Sequence, residues 1–425
     1  MSSEGADFVD EIVQDKLPTH TAPPRDKFLP WHRVRKEFIR KFQWNELTAR
    51  MLKRHWKRQL ELPETEWSLD DQGTDQALLN MPPDVALERT LKCLVIPGED
   101  LLDIRALWRD VQHFKCPIRY LGFNEGHGSD QQGTRVHVAN NAVTSLSRVA
   151  GDSCVVQDRF EAIGNCESQA YHYLKAYGPY HVVNLDLCGS IFPNIVKDPQ
   201  EYYEALKTLL IYQFAHQRTE WLLFVTTMVE PGVVHVGGLQ KLCGPTRENV
   251  DHYNDFAERV AKLVPAQIFK HETASVDISL LNGGQMVQLF GVALGKWLLG
   301  LCHTSAPQWT AAMRRSYRYV INEDKGVFML SLAFELSPNV IPPIDKTGMT
   351  KLQPVQKTYP DERTCAVKLA ESAANIRDVD AELAANQRLK AELRDAQATL
   401  LEAAGYDRAA YLKWVEDGEV TANSG

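Results

Sequence analysis

The residues best suited to chemistry stand in Asn184-Leu185-Asp186-Leu187-Cys188-Gly189: a carboxamide and a carboxylate two positions apart, then a thiol and a turn residue. They close an apolar run, Val182 to Leu187, and such a run ending in polar residues and a glycine predicts a central parallel strand opening into a ligand crevice. Three other segments repeat the pattern. Leu91 to Ile96 runs into Pro97-Gly98-Glu99-Asp100, Ile118 to Phe123 into Asn124-Glu125-Gly126, and Cys154 to Gln157 into Asp158-Arg159-Phe160. Cys188 at the crevice reads either as a nucleophile or, more commonly for the residue type, as a buried thiol. The polar stretch from Gly122 to Asp130 is a phosphate nest or a surface loop, and without a following Gly-Lys-Ser/Thr it is no Walker-type phosphate loop. His235, His252 and His271 have no metal-ligand spacing, and no two of the eight cysteines form C-x-x-C, so buried reduced thiols are expected.

Positioning four strand ends together requires strands that alternate with helices. Helical periodicity falls between the strands at 101–114, 136–149, 167–176 and 201–216, and a fifth strand is expected at 221–227. This alternation predicts a doubly wound, mostly parallel α/β sheet with right-handed crossovers. A helix at 249–263, a short extended piece at 266–270 and a long apolar helix at 284–303 follow, with Gly237-Gly238 and Gly283-Gly284 read as lid turns. Tyr317 to Ile321 and Val327 to Leu336, separated by only five residues, predict an antiparallel hairpin that ends the sheet.

At 425 residues, 44% of them hydrophobic, the chain can bury one large domain with appendages. The expected division is a lead at 1–24, a basic aromatic arm and linker at 25–84, the α/β domain at 85–336, a Pro-rich connector at 337–360 and a helical extension at 361–425. The sequence shows neither a run of about 18 apolar residues nor a basic-then-apolar start, which predicts a cytoplasmic protein without a membrane segment. Charge is segregated. The net −8 comprises about +9 in residues 25–58, from twelve Lys or Arg against three acids, and about −17 elsewhere. Phe28, Trp31, Phe38, Phe42 and Trp44 interleave with those bases, and bases beside stacking rings suit nucleic acid, with Arg33, Arg35, Lys36, Arg40 and Lys41 as the phosphate contacts. The alternative is an amphipathic helix whose rings are core and whose bases are solvated. Residues 361–404, rich in Ala, Glu, Leu and Arg, predict a long helix with a partial heptad at Val379, Leu389, Leu393 and Leu400, either docked on its own domain or self-associating as a coiled coil.

Five parallel units capped by a hairpin resemble the class I methyltransferase fold, over about residues 87–336. The resemblance implies S-adenosylmethionine as cofactor. It places Gly98 at the methionine end, Asn124 or Glu125 at the ribose hydroxyls, Asp158, Arg159 and Phe160 around adenine, and Asn184, Asp186 and Leu187 nearest the methyl group, with Asn184 and Asp186 catalytic. A carboxylate can accept from two vicinal hydroxyls or from an exocyclic amine, which suits these assignments. Gly98 alone stands where the family carries a glycine-rich run, beside Glu99, Asp100 and Asp103. The Pro30 to Arg40 segment ahead of such a sheet also resembles a little-characterised group of bacterial methyltransferase-like proteins, some of them associated with phage defence, which implies nucleic acid nearby. Two functions are expected in consequence: a methyltransferase acting on or near nucleic acid, or a catalytically degenerate scaffold or nucleic-acid-binding subunit in a larger, antiviral-defence assembly.

Overall fold

The computed structural model describes residues 25–59, 90–125, 130–194, 198–230, 232–269, 276–322, 327–339 and 359–419. The 1–24 lead, most of the linker, most of the Pro-rich connector and the glycine-rich end of the 122–130 loop lie outside the described residues.

The strands are β1 (Leu91–Val95), β2 (Ile118–Phe123), β3 (Cys154–Val156), β4 (Val182–Asp186), β5 (Trp221–Val229), β6 (Trp309–Met313), β7 (Tyr317–Asn322), β8 (Val327–Pro338) and β9 (Arg377–Asp378). They form one sheet in the order β3-β2-β1-β4-β5-β8-β7-β9, with β6 also on β8. The first five run parallel, and β8 is antiparallel to β5, β6 and β7. The expected mixed, mostly parallel α/β sheet and the antiparallel β7–β8 pair are present, but the pair does not end the sheet: β9 adds to β7 and β6 to β8. In that order β1 lies between β2 and β4, and β4 between β1 and β5.

Both faces of the central strands are buried, and the strands alternate between two cores as period-two geometry requires. Leu94, Leu121, Val183, Leu185, Leu223 and Val225 face one core, while Cys93, Val95, Tyr120, Val182, Leu222 and Phe224 face the other. The first is covered by α5 (Gln169–Tyr177), α6 (Glu201–His216), α7 (Val236–His252) and α9 (Gly283–Thr304). The second is covered by α1 (Val34–Ile39), α2 (Glu46–Gln59), α3 (Leu102–Val111) and α4 (Asp130–Thr144). A π-helical segment, Arg40–Asn45, joins α1 to α2. The basic arm is therefore a layer of the domain, and its rings Phe38 and Trp44 are core.

Several expectations change. Residues 236–252 are helical, ahead of a short α8 (Asn254–Val260), where one helix at 249–263 was expected. Gly237-Gly238 is no lid turn: His235 Nδ1 accepts from Gly238 N at 3.2 Å to start α7, and a Cβ at Gly238 would meet Phe192 at 2.2 Å. Residues 266–269 are a 3-10 turn where extended chain was expected. Gly283-Gly284 begins α9, which is held by a capping box between Asn282 and Gln285. α9 is long and apolar enough to cross a membrane, yet 78% of its most apolar stretch is buried within the fold. The 361–404 segment is broken into α10 (Glu362–Ala374), β9, α11 (Val379–Ala385) and α12 (Gln387–Ala403), then α13 (Arg408–Glu416). Asn386 caps α12 by accepting from Leu389 N at 3.0 Å, and Val379, Leu393 and Leu400 are buried on the chain's own surface. The single long helix expected here is replaced by shorter helices docked on the chain's own domain.

The docking closes on the arm. Phe28 packs with Leu102, Ala106, Leu401, Tyr406 and Tyr411, and Arg25 pairs with Tyr406 as a parallel bridge, Arg25 N to Gly405 O at 3.0 Å and Asp407 N to Arg25 O at 2.8 Å.

Candidate functional site

The carboxyl ends of β1, β2, β3 and β4 open into one crevice of about 240 Å³, reached by Gly98, Asn124, Glu125, Asp158, Arg159, Phe160, Asp186 and Leu187. Seven of these were assigned to a cofactor and one to catalysis from sequence, and the fold brings them together. Asn184 is not among the lining residues. It is buried one turn of the pleat behind Asp186, with its side-chain oxygen lacking a hydrogen-bond partner. Trp31, Tyr202 and Glu161 line the crevice without having been expected there.

The wall made by β2 and β3 is open to solvent. Glu125 and Arg159 sit at the lip with carboxylate and guanidinium 3.9 Å apart. Arg159 also reaches Glu161 at 2.9 Å and Glu201 at 2.7 Å, and its hydrogen bond to Glu161 is the main cause holding it above its ordinary pKa. Asp158 accepts from the Arg159 backbone N–H at 2.7 Å. Behind them Phe160 is buried, with its ring near-parallel to Tyr202 at 6.5 Å, an apolar floor beneath polar rims. Asn124 donates to Pro97 O at 2.8 Å and so fixes the turn after β1.

That turn departs from a glycine-rich cradle. A Cβ on Gly98 would meet nothing nearer than Trp31 Nε1 at 3.8 Å, so the backbone there does not require glycine. The close approach lies at Gly122, where a Cβ would stand 3.0 Å from both Pro97 and Val155.

The wall made by β1 and β4 is buried and acidic, and the arm neutralises it. Asp100 accepts from Arg25 at 2.6 Å and from the Tyr406 hydroxyl at 2.7 Å. Asp103 is met by Arg40 at 2.8 Å, and Glu99 by Arg135 at 3.2 Å. His32 stands 3.8 Å from Asp100 but stays neutral: burial, then Arg40 and Arg25, lowers its pKa to about 3. Its Nδ1 accepts from Leu29 N at 3.2 Å, which places the proton on Nε2.

Asp186 forms an ion pair with Lys36, whose ammonium is also 3.3 Å from the Tyr319 hydroxyl. Burial raises the Asp186 carboxyl above the usual carboxylate range, against the pull of Lys36. Burial likewise opposes the charge on Lys36, but Asp186, Tyr319 and Asp103 together outweigh it and hold the ammonium protonated. The pair closes the mouth of β4. Cys188, next along the chain, is exposed and not the buried thiol expected, although its surroundings and Asp186 raise its pKa. All eight cysteines are free, five of them buried.

Four of the five bases assigned to nucleic acid are turned onto the chain's own acids. Arg33 lies 3.9 Å from Glu419 and Arg35 pairs with Asp380, while Lys36 and Arg40 hold the crevice acids. Lys41 is exposed, its ammonium 5.6 Å from the Phe42 ring. Most of the arm's charge thus complements acids of the chain itself.

A second cavity, about 270 Å³, shares Trp31, Asp186, Leu187 and Cys188 with the crevice and extends toward β7 and β8. Among the described residues no cluster of three or more His, Cys, Asp or Glu could hold a metal ion. A family model described as PP_RS20740-like matches residues 25–416, spanning the arm, the sheet and the C-terminal helices. A comparison with curated proteins finds no match.

Proposed function

The chain belongs to the PP_RS20740-like family, and from the geometry of its crevice we propose that it is a doubly wound, class I methyltransferase-like protein that binds S-adenosylmethionine and transfers its methyl group. The observation that carries this reading is the convergence of four strand ends, in the order β3-β2-β1-β4, on one cavity that adjoins a second. The residues present fit the cofactor. Glu125 and Asp158 offer carboxylates at the lip for ribose hydroxyls and an exocyclic amine, and the buried Phe160 beside Tyr202 offers a flat apolar surface for a base. When bound, the cofactor supplies an electrophilic methyl group. Asp186, on the wall common to both cavities, is the proton acceptor for the attacking group, and Lys36 orients it and balances its charge.

Titration of the purified chain with S-adenosylmethionine by calorimetry tests the reading. Saturable binding, lost on Asp158→Ala with Glu125→Ala, is the expected result; no heat and no thermal shift at millimolar cofactor sinks it. One observation favours a second reading, that of a non-catalytic scaffold: Gly98 provides no required close approach and the Asn124 amide is engaged by Pro97. Binding without methyl transfer to any acceptor would select that reading.

A further inference from the structure

The second cavity has the properties of a pocket for a small molecule. Met228, Ile321 and Met329 supply apolar walls, and the polar groups gather at one end, where Lys36, Asp186 and Tyr319 meet. Arg33 and Arg35 stand at its rim, turned to Glu419 and Asp380. An apolar cavity of about 150 Å³ suffices for benzene, so about 270 Å³ takes a substituted ring or a fused pair.

The polar end selects the nucleophile. An amine acceptor gains positive charge as it is alkylated, beside the Lys36 ammonium, which is unfavourable. A hydroxyl on an aromatic ring loses its proton as it attacks, and the developing oxyanion is stabilised by that same ammonium. We propose that this cavity is the acceptor pocket and that its substrate is a small apolar phenol, a conclusion that rests on reading the crevice as the methyl-donor site. The oxygen–carbon bond forms as the carbon–sulfur bond of S-adenosylmethionine breaks, the electron pair staying on sulfur. The phenolic proton passes to Asp186, leaving a neutral methyl ether and a neutral thioether. Met228 and Ile321 line this cavity and not the crevice.

Calorimetric titration of the full chain with 4-methylphenol and 2-naphthol, with and without S-adenosylmethionine, tests the assignment against Met228→Trp and Ile321→Trp. The expected result is saturable phenol binding, weakened at least tenfold in both variants, with melting temperature and S-adenosylmethionine affinity unchanged. Tritium from methyl-labelled cofactor should pass to the phenol and not to a single-stranded oligonucleotide. Cofactor binding without phenol binding overturns the inference alone, as does phenol binding indifferent to both variants. Labelled oligonucleotide with unlabelled phenol overturns it as well. Phenol bound in the cavity while cofactor fails to bind overturns the donor reading and keeps the cavity as a ring-sized site.

Discussion

On the β2–β3 side of the crevice the Arg159 and Glu125 side chains are 44% and 51% exposed, whereas on the β1–β4 side Asp100 and Asp103 are 5% and 9% exposed and each is held by a base from the arm. The first kind of charge is screened by water and contributes about 0–1 kcal/mol per pair, so it can reorganise around a ligand at little cost. The second kind cannot be rearranged. Removing one partner of a buried pair costs about 3–5 kcal/mol because the other charge is stranded. One wall carries charges that can reorganise, the other charges that are held in place.

The comparison breaks most clearly at Arg40. Arg40→Met should strand Asp103 and lower stability by about 3–5 kcal/mol, read from the urea midpoint, and Arg40→Met with Asp103→Leu should regain most of it. An unchanged midpoint in the single variant would mean that the buried wall is no more committed than the open one. Asp186→Asn comes next. It should slow methyl transfer by about 100-fold while cofactor affinity changes less than tenfold, and the wild-type rate should rise with pH above the usual carboxylate range because burial keeps the acid protonated there.

The buried wall also has a pH signature. The folded pKa of His32 lies below its unfolded value, so its contribution is complete above 6.5 and declines as pH falls toward about 3. The slope should reach about 1.4 kcal/mol per pH unit within that window. Denaturation midpoints from pH 7 to 4 should flatten in His32→Gln; parallel curves would remove the effect. On the open wall, Arg159→Ala and Glu125→Gln should weaken S-adenosylmethionine about tenfold, with stability altered by less than about 1 kcal/mol. Smallest of all, Gly98→Ala should shift stability by no more than about 0.5 kcal/mol, since its Cβ would make only an ordinary contact with Trp31, at 3.8 Å.

The strand ends were legible because an apolar run that stops at Asn124, Asp158 or Asp186 carries its own marker. The terminal hairpin was legible from the five-residue gap between Ile321 and Val327. The arm's destination was not. Arg40 and Asp103 are 63 residues apart and Lys36 and Asp186 are 150 apart, so the sequence shows segregated charge without showing which acids receive it. Asn184 illustrates the same limit: period two puts it on the face of Asp186, but only packing shows that it stops short of the cavity. The second cavity was not legible because Tyr319 and Met329 lie on strands remote in sequence from β4 and reach its end only through the pairing of β5, β8 and β7.

The Arg25–Tyr406 bridge sets an order of events during synthesis. β1 through β5 can emerge and pair long before residue 406 exists, yet until then Asp100 lacks its tyrosine donor and Arg25 lacks the backbone that anchors it. A nascent chain therefore carries a half-built wall until the segment around Tyr406 has emerged. Any ligand that needs the finished wall therefore depends on Tyr406 as well as on the strand ends.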